Sequence, residues 1–157
     1  KNHQGITEFL SKKEKVKGKE VMLIYNKKLS VSPITTHIPI KHVSKNLTKK
    51  KIINNITIIN SFFRLKFNKK PSFAILGLNP HCESVDQISE EKRIINPSIK
   101  ILKKKNIDID GPFSADTFFL KKNIKKFDVV VGMYHDQVLT PIKTLFKLRC
   151  HLRYPLR

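Results

Sequence analysis

The chain has 157 residues, 39% of them hydrophobic, and a formal net charge of +20; that length supports one domain with a real core. No apolar run approaches a membrane span, residue 1 opens no signal peptide, and two cysteines outside any CxxC pair exclude a zinc finger or disulfide framework. The charge raises a nucleic-acid reading, but the lysines are scattered, only five of the 32 basic residues are arginine, and no aromatics interleave the Lys-rich stretches.

Residues 1–20 read as a loop, a short helix and a Lys/Glu-rich solvated link. Val21 to Tyr25 is apolar and strand-like, Asn26-Lys27-Lys28 is a turn, and Leu29 to Thr36 is a second strand, so a hairpin is expected. Pro39 ends that ladder. From Thr48 to Phe67 the apolar residues Ile52, Ile53, Ile56, Ile59, Phe63 and Phe67 recur at three- and four-residue spacing, which predicts an amphipathic helix broken at Lys69-Lys70-Pro71. Phe73 to Gly77 is a third strand, emptying into Leu78-Asn79-Pro80-His81. Ser89 to Lys105 has a helical pattern, with Ser89 as N-cap, Glu90 and Glu91 in the first turn, lysines at the end, and Pro97 as a kink or restart. Gly111-Pro112 reads as a turn, and Ser114 to Thr117 opens a short helix. Asp128 to Gly132 is a buried β-branched strand, followed by the polar stretch Met133 to Gln137. Strands separated by helical stretches, with no internal repeat, predict an α/β fold with a mostly parallel sheet, flanking helices and one hairpin.

Three histidines share a setting. His37, His81 and His135 each follow the end of an apolar strand-like run, and strand ends on one sheet edge bring distant residues together. A lone histidine is more often a hydrogen-bonded structural residue; three neutral imidazoles on one edge are a donor set for a divalent cation with positions left open. His3, His42 and His151 lack the setting and read as surface residues. Lys143, eight residues past His135, suits a phosphate anchor, although most of the lysines are simply solvated. Asp116 and Asp136 lie beside turns, where each could orient a ligating histidine or hold a substrate amine. For Asp116, helix capping is an equal reading.

Four segments carry a family resemblance: TTHIP at 35–39, GLNPH at 77–81, DGPFSADTFF at 110–119 and GMYHDQVLTPIKTLF at 132–146. In order and rough spacing they resemble the 4-hydroxythreonine-4-phosphate dehydrogenase family of vitamin B6 biosynthesis, over roughly residues 5–146. The resemblance implies a fold similar to that of isocitrate and isopropylmalate dehydrogenases, here incomplete. It implies NAD-dependent oxidation of 4-phosphooxy-L-threonine with loss of CO2, giving 3-amino-2-oxopropyl phosphate for pyridoxal 5'-phosphate. It also implies a homodimer with a shared active site and a divalent metal (zinc, magnesium or cobalt) on His37, His81 and His135. Lys143 would hold the substrate phosphate, Asp116 would contact substrate, and Asp136 is carried beside it as a catalytic candidate. No residue is assigned to the cofactor.

The departures are specific. QGITEF resembles the family's GHTEF segment, and Thr7 is kept as a substrate contact, but Ile6 stands where a histidine is usual and can make no hydrogen bond. Cys82-Glu83-Ser84 replaces small and glycine residues after His81. Past Phe146 the resemblance stops, so residues 147–157 are expected to be an aberrant, unstructured tail to a partial catalytic region at 1–146. The chain alone is then expected to be inactive, and the setting cytoplasmic. The competing readings are a basic polyanion- or RNA-binding module, resting on net charge, and a gene remnant without function, resting on the tail.

Overall fold

A computed structural model describes residues 21–82, 88–146 and 153–156. Six strands form one sheet in the order β4-β3-β5-β2-β1-β6. β1 (Val21–Ile24) and β2 (Ser30–Thr35) are the expected hairpin, antiparallel with Ile24 opposite Val31. Its turn is an Asx-turn in which the Lys28 amide donates to Asn26 Oδ1 at 2.8 Å. β3 (Phe73–Leu76), β4 (Ile109–Phe113) and β5 (Val129–Tyr134) run parallel to β2. Pro33 sits within β2 and has no N–H to donate. The neighbouring Ser32 hydroxyl donates to the Met22 carbonyl at 2.7 Å, so the β1 side of the ladder keeps a bond there.

Helices cover both faces of the sheet. α1 (Val43–Asn46) is short; α2 (Lys49–Phe67) is the long predicted helix, and its buried stripe is Ile52, Ile56, Ile59 and Phe63. Thr48 caps it by accepting from the Lys51 amide, and Asn68 ends it in the left-handed conformation. Replacing Thr48 with alanine is expected to cost about 1 kcal/mol, read from the urea midpoint with an unchanged slope. A π-helical turn (Glu91–Ile95) leads into α3 (Asn96–Lys104), where Pro97 lies in the first turn, so the restart expected at that proline occurs. α2 and α3 pack with Phe73, Ile75, Val129 and Val131 in one core. On the opposite face, α4 (Ala115–Phe118), α5 (Lys121–Ile124) and α6 (His135–Phe146) pack with Ala74, Leu76 and Val130.

Three expectations change. Gly111-Pro112 is not a turn but lies inside β4, joined by a cis peptide bond, where pairing with β3 outweighs the local turn signal. β5 runs on to Tyr134 and α6 begins directly at His135, so the polar stretch is a strand end and a helix start. Val138, Leu139 and Ile142 bury against the sheet at helical spacing, which draws the segment into α6. Finally, Arg153–Leu156 forms β6, antiparallel to β1, so an unstructured tail does not hold for these four residues. The first segment, with Thr7, His3 and Ile6, lies outside the described residues, as do Glu83, Ser84 and His151. Among the described residues, no helix is long and apolar enough to cross a membrane.

Candidate functional site

The order of the sheet creates the site. The chain leaves β2, crosses one face to β3, steps outward to β4, then returns over the opposite face to insert β5 between β2 and β3. A reversal of this kind opens a crevice beyond the carboxyl ends of the central strands. Ser32, Val131 and Ile75 stand level across β2, β5 and β3. His37, His135 and His81 follow them by five, four and six residues, so all three come after the carboxyl ends of neighbouring parallel strands.

The three rings divide into a pair and a single. His37 and His135 have ring centroids 5.6 Å apart at 43°. His81 faces Asp116, its Nδ1 3.6 Å from Oδ2. Within this one chain, and among the described residues, no three His, Cys, Asp or Glu side chains are close enough to hold one ion. Strain marks the same places: five described non-glycine residues have positive φ, and two of them, Asn68 and Asn106, are asparagines, which tolerate that conformation at helix ends. The others are His37 (φ 38°), His81 (φ 56°) and Cys82 (φ 59°), held there by their surroundings at an energetic cost.

Two carboxylates back two of the histidines. Asp136 Oδ1 lies 2.8 Å from His135 Nδ1, and Asp116 approaches Nδ1 of His81. The hydrogen bond to Asp136 favours the His135 tautomer with the proton on Nδ1, leaving the Nε2 lone pair free, the form in which histidine binds metals; Asp116, at 3.6 Å, is only near His81. Imidazoles are metal-donor groups, and one chain gathers two of the three, His37 and His135, at one place. The Ser114 hydroxyl donates to Asp116 at 2.5 Å and, aided by the Thr117 amide and His81, holds its carboxyl below the usual value against slight desolvation. Asp116 is ionised at neutral pH.

Both carboxylates line one groove of about 580 Å3 between α4 and α6, with Phe119, Tyr134, Thr140 and Pro141 among its walls. The size suits a small ligand. Lys143 is exposed on α6, outside the groove wall, seven residues after Asp136 and so on nearly the same helix face. His42 is exposed, as a surface residue should be.

Two buried side chains at the site carry more than their sequence positions suggested. Glu91 reads as an ordinary first-turn acid, yet it is 2% exposed and turns back to the loop bearing His81. It accepts from the Leu78 amide at 2.8 Å, the Asn79 amide at 2.9 Å and the Asn79 side chain at 2.8 Å. Burial pushes its carboxyl up, but these bonds, Asn79's foremost, outweigh burial and leave it below the usual value. Gln137 is also buried, joined to Met133 and Gly77. The available signals were the doubled Glu90-Glu91 and a glutamine one residue before an apolar helical stripe.

A family model described as pyridoxal phosphate biosynthetic protein PdxA matches residues 1–149. The chain is 45% identical over 145 residues to a 4-hydroxythreonine-4-phosphate dehydrogenase from Sulfurihydrogenibium sp. (strain YO3AOP1), covering 91% of this chain and 44% of that protein. It is 40% identical over 144 residues to one from Wigglesworthia glossinidia brevipalpis, covering 88% and 42%. A crystal structure of 4-hydroxythreonine-4-phosphate dehydrogenase from Klebsiella pneumoniae superposes with a TM-score of 0.79 at 32% identity, over 92% of this chain and 44% of that one. The chain thus spans less than half the length of these relatives.

Proposed function

The chain belongs to the family of the pyridoxal phosphate biosynthetic protein PdxA, and from that membership we propose that it carries the metal- and phosphate-binding part of a 4-hydroxythreonine-4-phosphate dehydrogenase. The reaction is the NAD-dependent oxidation of 4-phosphooxy-L-threonine and loss of CO2, giving 3-amino-2-oxopropyl phosphate. The observation that supports this most is the setting of His37, His81 and His135 after the carboxyl ends of three neighbouring parallel strands, with Asp136 hydrogen-bonded to His135 and Asp116 near His81.

In this reading the three histidines hold a divalent cation, whose charge would acidify the substrate hydroxyl and ease hydride departure to NAD. Asp136 fixes the tautomer of His135. Asp116, kept ionised by Ser114, orients His81 and faces the substrate ammonium across the groove. Lys143 meets the phosphate as a compact point charge, and its remote binding energy serves to position the reacting carbon. Thr7 adds a substrate contact. Oxidation sends a hydride from the hydroxyl-bearing carbon to NAD and the hydroxyl proton to a base or solvent; the β-keto acid then loses CO2, and the resulting enolate takes up a proton. A homodimer belongs to the reading, because one chain brings two rings together and leaves the third beside Asp116. The setting proposed is cytoplasmic.

Titrating the 157-residue chain with cobalt(II) and following the visible ligand-field bands tests the metal role. Each of His37→Ala, His81→Ala and His135→Ala is expected to weaken binding by at least the roughly 10- to 100-fold typical of lost outer partners. Equal affinity in the unaltered chain and all three variants, or no binding by the unaltered chain, overturns the reading.

A further inference from the structure

The two edges of the sheet differ in charge. Beyond the carboxyl ends of the parallel strands lie the acids Glu90, Glu91, Asp116 and Asp136. The other edge, where β2, β3, β4 and β5 begin, gathers lysines. Four connections reach it, and each carries an adjacent pair: Lys27-Lys28 in the β1–β2 turn, Lys69-Lys70 before β3, Lys104-Lys105 before β4 and Lys125-Lys126 before β5. All eight side chains are exposed. They are spread over a hundred positions of sequence, and the parallel topology brings them into line.

Neighbouring strands lie about 4.8 Å apart, so in the order β4-β3-β5-β2 these connections form a row about 15 Å long. Lysine in the last turn of a helix is ordinary, because it answers the helix dipole. That accounts for Lys104 at the end of α3, but not for the pair in the hairpin turn, nor for Lys69 and Lys70 beyond the left-handed residue that ends α2. Among the described residues, the ion pairs at this edge join Lys69 to Asp128 and Lys103 to Asp110. Asp108 is the third acid here, so lysine remains in excess. The row also holds an aromatic platform. Tyr25, two residues before Lys27, and Phe67, two before Lys69, stack at 4.9 Å with 15° between their planes, and Phe67 is 40% exposed.

We propose that this edge is a docking track for single-stranded RNA, with phosphates on the lysine pairs and a base against the exposed part of Phe67. A linear row suits a linear polyanion: about 15 Å is the reach of roughly four nucleotides at a stacked rise near 3.4 Å. Lysine meets phosphate as a point charge and an aromatic ring stacks on any base, so binding is expected to show little sequence preference. A duplex hides the base faces that Phe67 would meet. An anionic bilayer is a plane that takes up freely projecting apolar side chains, whereas Phe67 is packed flat on Tyr25. The track lies at the edge of the sheet opposite the histidines and stands independently of the metal and substrate readings.

Fluorescence anisotropy of a short labelled single-stranded RNA, titrated with the 157-residue chain over a range of salt, tests this. With one phosphate per lysine pair, the logarithm of affinity is expected to fall with that of salt at a slope of about −3. The double variants Lys27→Gln/Lys28→Gln and Lys125→Gln/Lys126→Gln are each expected to bind about 5-fold more weakly at about 0.1 M salt, with a slope shallower by about 0.7. Phe67→Leu is expected to lose roughly 5-fold or more in affinity with the slope unchanged, because it removes a stacking surface and no charge. The control Lys49→Gln/Lys50→Gln removes the same charge from exposed positions at the start of α2, away from the row, and is expected to bind like the unaltered chain. A control that loses as much as the edge variants shows attraction by net charge alone and overturns the track, as does an unaltered chain that binds no RNA at about 50 mM salt. Vesicles of phosphatidylserine and phosphatidylcholine that bind more tightly than RNA, and lose that binding in the edge variants, overturn the choice of RNA. On the unaltered chain, RNA is expected to shield Lys28 and Lys126 together from acetylation while Lys50 stays reactive; equal shielding of all three overturns the placement.

Discussion

Replacing Gly111 with alanine is expected to remove about 4 kcal/mol of stability, a large share of what a domain of this size possesses. Gly111 has φ +133°, a region that side-chain-bearing residues rarely adopt. A Cβ there would lie 2.4 Å from the Ile75 carbonyl oxygen and 2.8 Å from its Cγ2. Neither obstacle is a free side-chain end: Ile75 is fully buried in β3, between β4 and β5. The register of β3 and β4 shifts at this point, from Ala74 opposite Asp110 to Leu76 opposite Phe113, and the close approach at Gly111 is part of that shift. Strain and overpacking of roughly 1–3 kcal/mol each combine to the expected figure. Urea unfolding of the variant measures it. A loss below about 1 kcal/mol would mean that β4 repacks freely, and that the route from β4 through Ser114 to Asp116 is not fixed by this glycine.

The same glycine marks where the sequence misled. Gly-Pro is a strong turn signal when read locally, and nothing in residues 109–113 announces that β3 will pair with them; that pairing is tertiary. The long helix α2 was legible because Ile52, Ile56, Ile59 and Phe63 repeat the helical period and Thr48 caps it, both local properties. β1, β2, β3 and β5 were legible as short β-branched or apolar runs. The start of α6 was not, because His135, Asp136 and Gln137 are polar and Pro141 interrupts, although Val138, Leu139 and Ile142 carried the period. At the site, the sequence placed His37, His81 and His135 after strand ends, and in the structure each follows one of the parallel strands β2, β3 and β5. They could not foretell that His37 would meet His135 while His81 turned to Asp116, since that depends on the strand order and on how the loop after β3 is held. Glu91 and Gln137 escaped because each looks like an ordinary helix-entry residue; their importance comes from partners 12 to 60 positions away.

Glu91 gives the second large effect. Glu91→Ala is expected to cost about 4 kcal/mol, because it leaves the amides of Leu78 and Asn79 without their charged acceptor in a site the side chain had closed to water. Bonds to a charged acceptor contribute roughly 1.5–3 kcal/mol each, and a buried donor left unmet costs a similar amount. Glu91→Gln keeps the shape but loses the charge, and a loss of about 2 kcal/mol is expected. The pH dependence separates the two contributions. Because the folded carboxyl is held below the ordinary glutamate value of 4.5, its charge stabilises the fold fully above that value and the contribution fades as pH falls through the lowered one. The stability gap between the unaltered chain and Glu91→Gln is therefore expected to be constant near neutrality and to narrow in acid. Urea unfolding from pH 7 down through the carboxylate range reads this directly. A gap that widens in acid would mean the carboxyl is destabilised in the fold, and that the loop before His81 is held by something other than its charge.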